Sequence, residues 1–333
     1  MKQRHPSICR SGSESGSALV AALVLIFSAS MLTMAVLAIS QTATLDIRAH
    51  TQLQRSAYIN EGVSNRIQWL IAADKHLFPG TPPGEIEYLD YDHDRYLPDG
   101  VHHVMDYYGT PVAFRIFSGV SGWDLNPDAY QDTLRRFTSR IDVDTTVTDA
   151  VEELTDKLRD YFDNDDELST NGMEVDDYDA EAMAPLPRNR SSGFWREELF
   201  YIKGLTALFP PDRYGRLSGL RLPNTPRGNP NFFTATSLML QIYCNLEESQ
   251  AEEVIAAREV WFRERIQIKD QIDTLLYSSL GSLSWNDSDT YTVLIEGPRE
   301  AKQPSRRLVF TYRGFPPTGP TDNMVEFLEW TFF

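Results

Sequence analysis

"GSALVAALVLIFSASMLTMAVLAIS", residues 16–40, is the stretch on which the reading of this chain turns. From Ser17 to Leu45 the chain runs for 29 residues without a charge. The 22 residues 18–39 would alone form a helix of about 33 Å, enough to cross the hydrocarbon core of a bilayer. A cleavable secretory signal has a shorter apolar run that closes on a small-residue site, so this run is expected to stay on the protein. Lys2, Arg4 and Arg10 precede it against a single Glu14. The positive-inside rule then puts the leader in the cytoplasm and everything after Leu45 on the far side of the membrane.

Helical periodicity continues beyond the apolar run. Leu45, Ala49, Leu53, Ala57, Val63, Ile67 and Leu70 recur at three- and four-residue steps, with Arg48, Arg55, Glu61 and Arg66 between them. No proline interrupts residues 7–78, so one helix is expected over 17–77, about 90 Å long. Its first part is apolar all round and its second part is one-sided. The one-sided stripe needs a partner: it is expected to pack on a sheet of this chain, and the periplasmic part of the helix to associate with neighbouring subunits by burying the Leu45–Leu70 stripe.

The net charge of −17 argues against binding a nucleic-acid backbone, which calls for a basic face. Most of that charge is local: residues 142–181 hold 16 carboxylates against Lys157 and Arg159. A block of this kind is ordinarily solvated. Here Val151, Leu154, Leu158 and Phe162 punctuate it at helical spacing, which predicts an amphipathic helix within it. Cys9 and Cys244 would lie on opposite sides of the membrane, so no intrachain disulfide is expected.

Strand-like runs follow the helix: "EIEYLDYD", "HHVMDYYG" and "PVAFRIFSG". The texture turns helical over about 125–272, then returns to strands in "TYTVLIEGP", "RRLVFTYRG" and "MVEFLEWTFF". Strands on both sides of a helical block predict one sheet with a helical insertion, an α+β fold. In the last strand, alternation predicts Leu328, Trp330 and Phe332 on the buried face. Asp287 and Asp289 read as turn residues. No nucleophile elbow, phosphate loop or paired-histidine metal motif occurs, so no enzyme is expected.

Several segments, in order, resemble the minor pseudopilins of type II secretion systems, specifically the K-subunit (GspK) family. They are the basic leader closing on Gly16, the retained apolar helix, and "FRIFSGVSGWDLNP" with its Asn-containing turn. The acidic "LRDYFDNDDELSTNGMEVDDYD", "FWREELFYIKGLT" and the helix-hairpin-helix-like "FFTATSLMLQIYCNLEESQAEEVIAARE" continue the series. The resemblance implies a pilin-like fold: a long N-terminal helix on a small antiparallel sheet, with a large helix-hairpin-helix or SAM-like domain inserted between strands. It implies a leader at 1–16, a membrane part at 17–40, periplasmic helix and first strands at 41–124, an inserted helical domain at 125–272 and closing strands at 273–333.

Cleavage by a prepilin peptidase is implied between Gly16 and Ser17, with methylation of the new N-terminus. Most pilins carry glutamate at position five of the mature chain, where it meets the neighbouring subunit's N-terminal ammonium. Here that position is Ala21, and the K family characteristically lacks the glutamate, as a first subunit with no predecessor would. The implied partners are the I-, J- and H-type minor pseudopilins, the major pseudopilin and the inner-membrane assembly platform. The implied role is to start or cap a periplasmic pseudopilus. A minor pilin of a type IV pilus, or a single-pass membrane-anchored enzyme, are the other classes compatible with the leader and helix.

Asp163, Asp165, Asp166, Glu167, Glu174, Asp176 and Asp177 fall within 15 residues. Carboxylates this dense repel one another, and a hard dication held by several oxygens relieves them. Without Cys or His nearby, calcium suits the run better than zinc; a solvated acidic loop is the alternative. The resemblance implies calcium and, position by position, Asp163, Asp165, Glu174 and Asp177, with Asp176 as a further candidate. Asp90, Asp92 and Asp94 alternate as a solvated strand edge would. His102 and His103 point to opposite faces of a strand and predict no zinc site.

Overall fold

The computed structural model describes residues 14–78, 95–139, 145–180, 195–223, 225–285, 288–298, 304–314 and 325–333. The leader before residue 14, the strand expected over 85–92 with Asp90, Asp92 and Asp94, the connector at 184–193, Cys9 and Asp287 lie outside the described residues.

One helix, α1 (Glu14–Leu77), spans 64 residues. The chain divides into two compact units within it, residues 1–55 with 301–304 in one and the rest in the other. In the first unit the apolar window is wholly exposed, and the helix is long and apolar enough to cross a membrane. Its hydroxyl groups turn inward. Ser30, Thr33, Thr42, Thr44 and Thr51 each donate to the carbonyl four residues back at 2.8–2.9 Å. For Ser30 and Thr33, within the apolar run, this local bond would remove the cost of carrying a hydroxyl into lipid, where no water can satisfy it.

The second unit holds the end of α1, a sheet and a helical body. Chain order gives β1 (Asp99–Tyr107), β2 (Thr110–Ser118), α2 (Tyr130–Thr138), α3 (Thr145–Phe162) and α4 (Val175–Ala180). Then come α5 (Leu205–Leu208), α6 (Ser237–Cys244), α7 (Glu248–Glu264), α8 (Thr274–Ser279), β3 (Thr290–Pro298), β4 (Leu308–Gly314) and β5 (Val325–Phe332). Among the described residues, five strands lie in sequence order and pair antiparallel throughout. The helical body is inserted between β2 and β3, so the α+β arrangement with an interrupted sheet is the one observed.

Two apolar cores form. One seals α1 to the sheet: Val63, Ile67 and Ile71 pack against Met105, Val112, Phe114, Ile116, Val293, Ile295, Leu308 and Phe310. The other fills the helical body around Trp123, Leu134, Leu158, Phe232 and Trp261. Polar ties fix the elements. Ser56 Oγ and Asn60 Nδ2 both donate to the Arg306 carbonyl, at 3.2 and 2.9 Å. The fully buried Asp99 of β1 accepts from Arg265 at the end of α7, 2.5 Å. Glu329 of β5 receives Arg196 at 3.1 Å and Arg216 from the helical body. Where α6 turns into α7, Asn245 takes the left-handed conformation at φ 54°, the place a glycine commonly fills.

The stripe of α1 packs on this chain's own sheet, as expected, through Val63, Ile67 and Ile71; the further expectation, that the whole Leu45–Leu70 stripe is buried against neighbouring subunits, is corrected, since Val63 and Ile67 are already covered. In β5 the expected alternation is broken by an irregularity opposite Thr311/Tyr312. Tyr312 pairs with Phe327 and Thr311 with Glu329, so Leu328 has no opposite residue. Phe327 therefore joins Trp330, their rings 5.2 Å apart, and both contact Phe310. Trp330 keeps 39% of its surface exposed instead of entering the core.

Candidate functional site

The acidic run folds as the end of α3 followed by a loop that returns onto it. The face of α3 that carries Leu154, Leu158 and Tyr161 enters the helical core, which leaves Asp156 and Asp160 at the helix's last turns. The loop closes back through backbone donors. Ser169 N–H donates to Asp160 Oδ2 at 3.2 Å and Asn171 N–H donates to Asp156 Oδ2 at 3.2 Å. Gly172 sits directly against the Asp160 carboxylate, in a position where any β-carbon would collide with it.

Asp163 stands one turn beyond Asp160. Its Oδ1 and that of Asp160 are buried and accept no hydrogen bond. Burial pushes the Asp163 carboxyl above its ordinary range, and the negative charges of Asp165 and Asp160 push it the same way. A hydrogen bond from the Asp165 backbone and the Arg159 guanidinium only partly oppose them. The loop thus holds carboxylates close enough to repel, with oxygen lone pairs turned inward.

Of the residues expected as ligands, Asp163 lies at this focus. Asp165 is exposed, and its Oδ1 accepts from Glu167 N–H at 2.9 Å. Glu174 is half-buried, and its N–H donates to Asp177 Oδ2 at 3.0 Å, which ties those two together at the start of α4. Asp176 is exposed. Among the described residues, no three His, Cys, Asp or Glu side chains are gathered as a finished metal cluster. The orphaned Asp160 and Asp163 oxygens nevertheless fit a hard cation, the ligand that inward lone pairs on crowded carboxylates accept.

Asp160 and Gly172 were not singled out from sequence. The signal existed: Asp156, Asp160 and Asp163 recur at four and three residues, one helical face. Their place on an amphipathic helix makes them read as its ordinary solvent face.

The remaining residues are placed as follows. Gly16 and Ser17 both lie inside α1, and Ala21 is exposed on it. His102 is exposed, whereas His103 is half-buried and stacks on Phe114 at 5.2 Å and near Tyr96 at 5.4 Å. The Asn-containing turn after β2 closes on a buried ion pair. Arg221 donates to Asp124 Oδ2 at 2.9 Å, to the Val120 carbonyl at 2.8 Å and to the Gly228 carbonyl at 3.0 Å. Asp124 Oδ1 receives Asn126 Nδ2 at 2.8 Å.

No protein-family model matches the chain, and no curated protein matches it by sequence. Its fold is shared with a chain from the GspK-GspI-GspJ complex of the enterotoxigenic Escherichia coli type 2 secretion system. The superposition has a TM-score of 0.52 at 14% sequence identity and covers 86% of this chain and 99% of that one.

Proposed function

We propose that this chain is a membrane-anchored minor pseudopilin of a type II secretion system. The observation that carries the reading is architectural. A single helix supplies an exposed apolar span and then the cover of an antiparallel sheet, and that sheet is interrupted by a helical body. A chain of the same fold was solved in the GspK-GspI-GspJ complex. In this reading α1 crosses the inner membrane once, with a cytoplasmic leader and a periplasmic second unit. A prepilin peptidase trims between Gly16 and Ser17, and the new N-terminus is methylated. The chain's partners are the other minor pseudopilins, the major pseudopilin and the assembly platform, and its work is assembly rather than catalysis.

Ala21 supports a place at the start or tip of the filament. A carboxylate there would sit in apolar surroundings at a cost of several kcal/mol unless it met a predecessor's ammonium, and a first subunit has none. The acidic loop is proposed as a calcium site. Asp160 and Asp163 would supply the buried oxygens, and Asp165, Glu174, Asp177 and Asp176 are the remaining candidates. Bound there, the cation would neutralise the crowded carboxylates, while Gly172 and Ser169 hold the loop against α3.

The test is the intact mass of the membrane-extracted native protein, with identification of what co-purifies. Loss of residues 1–16 and recovery with secretion pseudopilins is expected. A chain still beginning at Met1, or one recovered with pilus components instead, overturns the reading.

A further inference from the structure

β5 is an edge strand: among the described residues, β4 is the strand that pairs with it. Phe333 and Arg307 exchange both backbone hydrogen bonds, at 2.8 and 3.1 Å. In an antiparallel pair such couples recur at every second residue. Thr331 with Val309 and Glu329 with Thr311 are therefore bonded couples as well. The backbone N–H and C=O groups of Trp330 and Phe332 point the other way, outward from β4. The irregularity opposite Thr311/Tyr312 confines this regular edge to residues 329–333.

An open edge is ordinarily blunted by proline, lysine or uncompensated charge. Residues 325–333 contain neither proline nor lysine. Both of their carboxylates are neutralised by arginines of this chain. Glu326 accepts from Arg313 at 3.3 Å, and Glu329 from Arg196 at 3.1 Å and from Arg216. The edge keeps its hydrogen-bonding groups and lacks the charge that would repel a second strand.

The two faces beside this edge differ in chemistry. On the face of Phe310, the rings of Phe327 and Trp330 stay exposed. On the opposite face the ring of Phe333 lies 4.8 Å from that of Tyr214. Arg213 stands 4.7 Å and Arg307 5.2 Å from the Tyr214 ring centre, and Arg216 stands 5.4 Å from that of Phe333. Arg216 is engaged by Glu329, and the Asp212 carboxylate is occupied by the N–H groups of Tyr214 and Arg216. Among the described residues no carboxylate pairs with Arg213 or Arg307, in a chain whose net charge is −17. The ring between them holds both guanidinium groups in place.

We propose that the 329–333 edge of β5 receives an extended segment of another protein, along which apolar and acidic side chains alternate. The outward backbone groups of Trp330 and Phe332 supply the hydrogen bonds of an added strand. Successive side chains of that strand fall on opposite faces. One set lies along Trp330 and Phe327, which asks for apolar groups. The other set lies on the face of Arg213 and Arg307, where charge complementarity asks for carboxylates. A second copy of β5 does not meet that demand, because both of its carboxylates are already held by arginines.

The test uses the detergent-solubilised full chain. The probe is a fluorescent heptapeptide of alternating valine and glutamate, with its valine–lysine counterpart as control. Fluorescence anisotropy measures binding, and residue-resolved amide hydrogen exchange locates it. Saturable binding of the glutamate peptide and none of the lysine peptide is expected. At saturation, exchange at Trp330 and Phe332 should slow about tenfold or more, whereas Thr331, already bonded to β4, should not change. Arg213→Ser/Arg307→Ser should weaken the glutamate peptide about tenfold at an unchanged melting temperature. Absence of binding, equal binding of the two peptides, or an unchanged affinity in the double variant overturns the inference. So does binding without slowed exchange at Trp330 and Phe332, or protection of those two amides by self-association of the chain alone.

Discussion

The carboxylate of Asp160 rests on the α-carbon of Gly172, eliminating the space for any side chain there. The glycine is demanded by proximity. Its backbone lies outside the left-handed region, so alanine would be strained by the collision alone. Gly172→Ala must displace either the loop or the Asp160 side chain, which is 4% exposed and has little room. Overpacking of this kind costs about 1–3 kcal/mol. The expected outcome is a lower melting temperature and a smaller calcium-induced rise, both read by thermal unfolding with and without the ion. An unchanged calcium response in this variant would remove Asp160 from the site.

Asp163 gives the pH dependence a sign. Burial, then the charges of Asp165 and Asp160, hold its folded carboxyl above its ordinary value. A raised acid pKa means the ionised form costs the metal-free fold stability above that pKa, and the cost disappears as pH falls below it. If the loop holds calcium as proposed, protons and calcium compete for the same oxygens. The calcium-induced rise in melting temperature should shrink as pH is lowered through the titration of Asp163. Asp163→Asn should leave the metal-free protein equally or more stable at neutral pH and abolish most of the rise. A variant that still responds fully to calcium would exclude Asp163 as a ligand.

Arg221 is expected to be among the costliest single positions in the helical body. Burial pulls its guanidinium below the ordinary arginine range, and Asp124 pushes it back up. Removing one partner of such a pair leaves the other as an uncompensated buried charge, a loss of about 3–5 kcal/mol. Arg221→Met also strands the Val120 and Gly228 carbonyls. The double variant Arg221→Met/Asp124→Asn should recover part of the loss, a coupling that urea denaturation of the single and double variants measures.

Much of this architecture was legible in sequence because it rests on period and punctuation. The uncharged run and the absence of proline over 7–78 marked α1 to within three residues of its start, and β3 coincides with "TYTVLIEGP". What sequence hid was geometry set by one chain segment meeting another. Alternation in β5 failed where Leu328 has no opposite residue, because an irregularity in pairing leaves no mark in hydropathy. Periodicity marked the stripe of α1 and its packing on the sheet, but it could not divide the apolar face between that sheet and neighbouring subunits. The loop's carboxylates were evident, whereas Asp160 was masked by its place in an amphipathic helix, and only the fold brings Gly172 onto it.

Cys244 offers a probe of global unfolding. It lies buried on α6, and burial pushes its thiol up to about 11. The thiolate is the reactive form, so iodoacetamide should not label Cys244 in the folded protein at pH 8 and should label it fully in denaturant. Rapid labelling under native conditions would mean that α6 opens locally without the rest of the core.

Ile67 and Trp69 test the division of labour on α1. They are two residues apart, about 200° around the helix, and one is fully buried while the other is 68% exposed. Ile67 packs with Val63 and Ile71 against the strands, so Ile67→Ala removes core contacts and leaves a cavity, at about 2–5 kcal/mol. Trp69→Ala removes the larger side chain but should change stability by no more than about 0.5 kcal/mol, since it touches no core. Hydrophobicity alone predicts the opposite order. Urea unfolding of the detergent-solubilised full chain, followed by circular dichroism, distinguishes them. A Trp69→Ala loss comparable to that of Ile67→Ala would mean that the tryptophan supports the fold of its own chain.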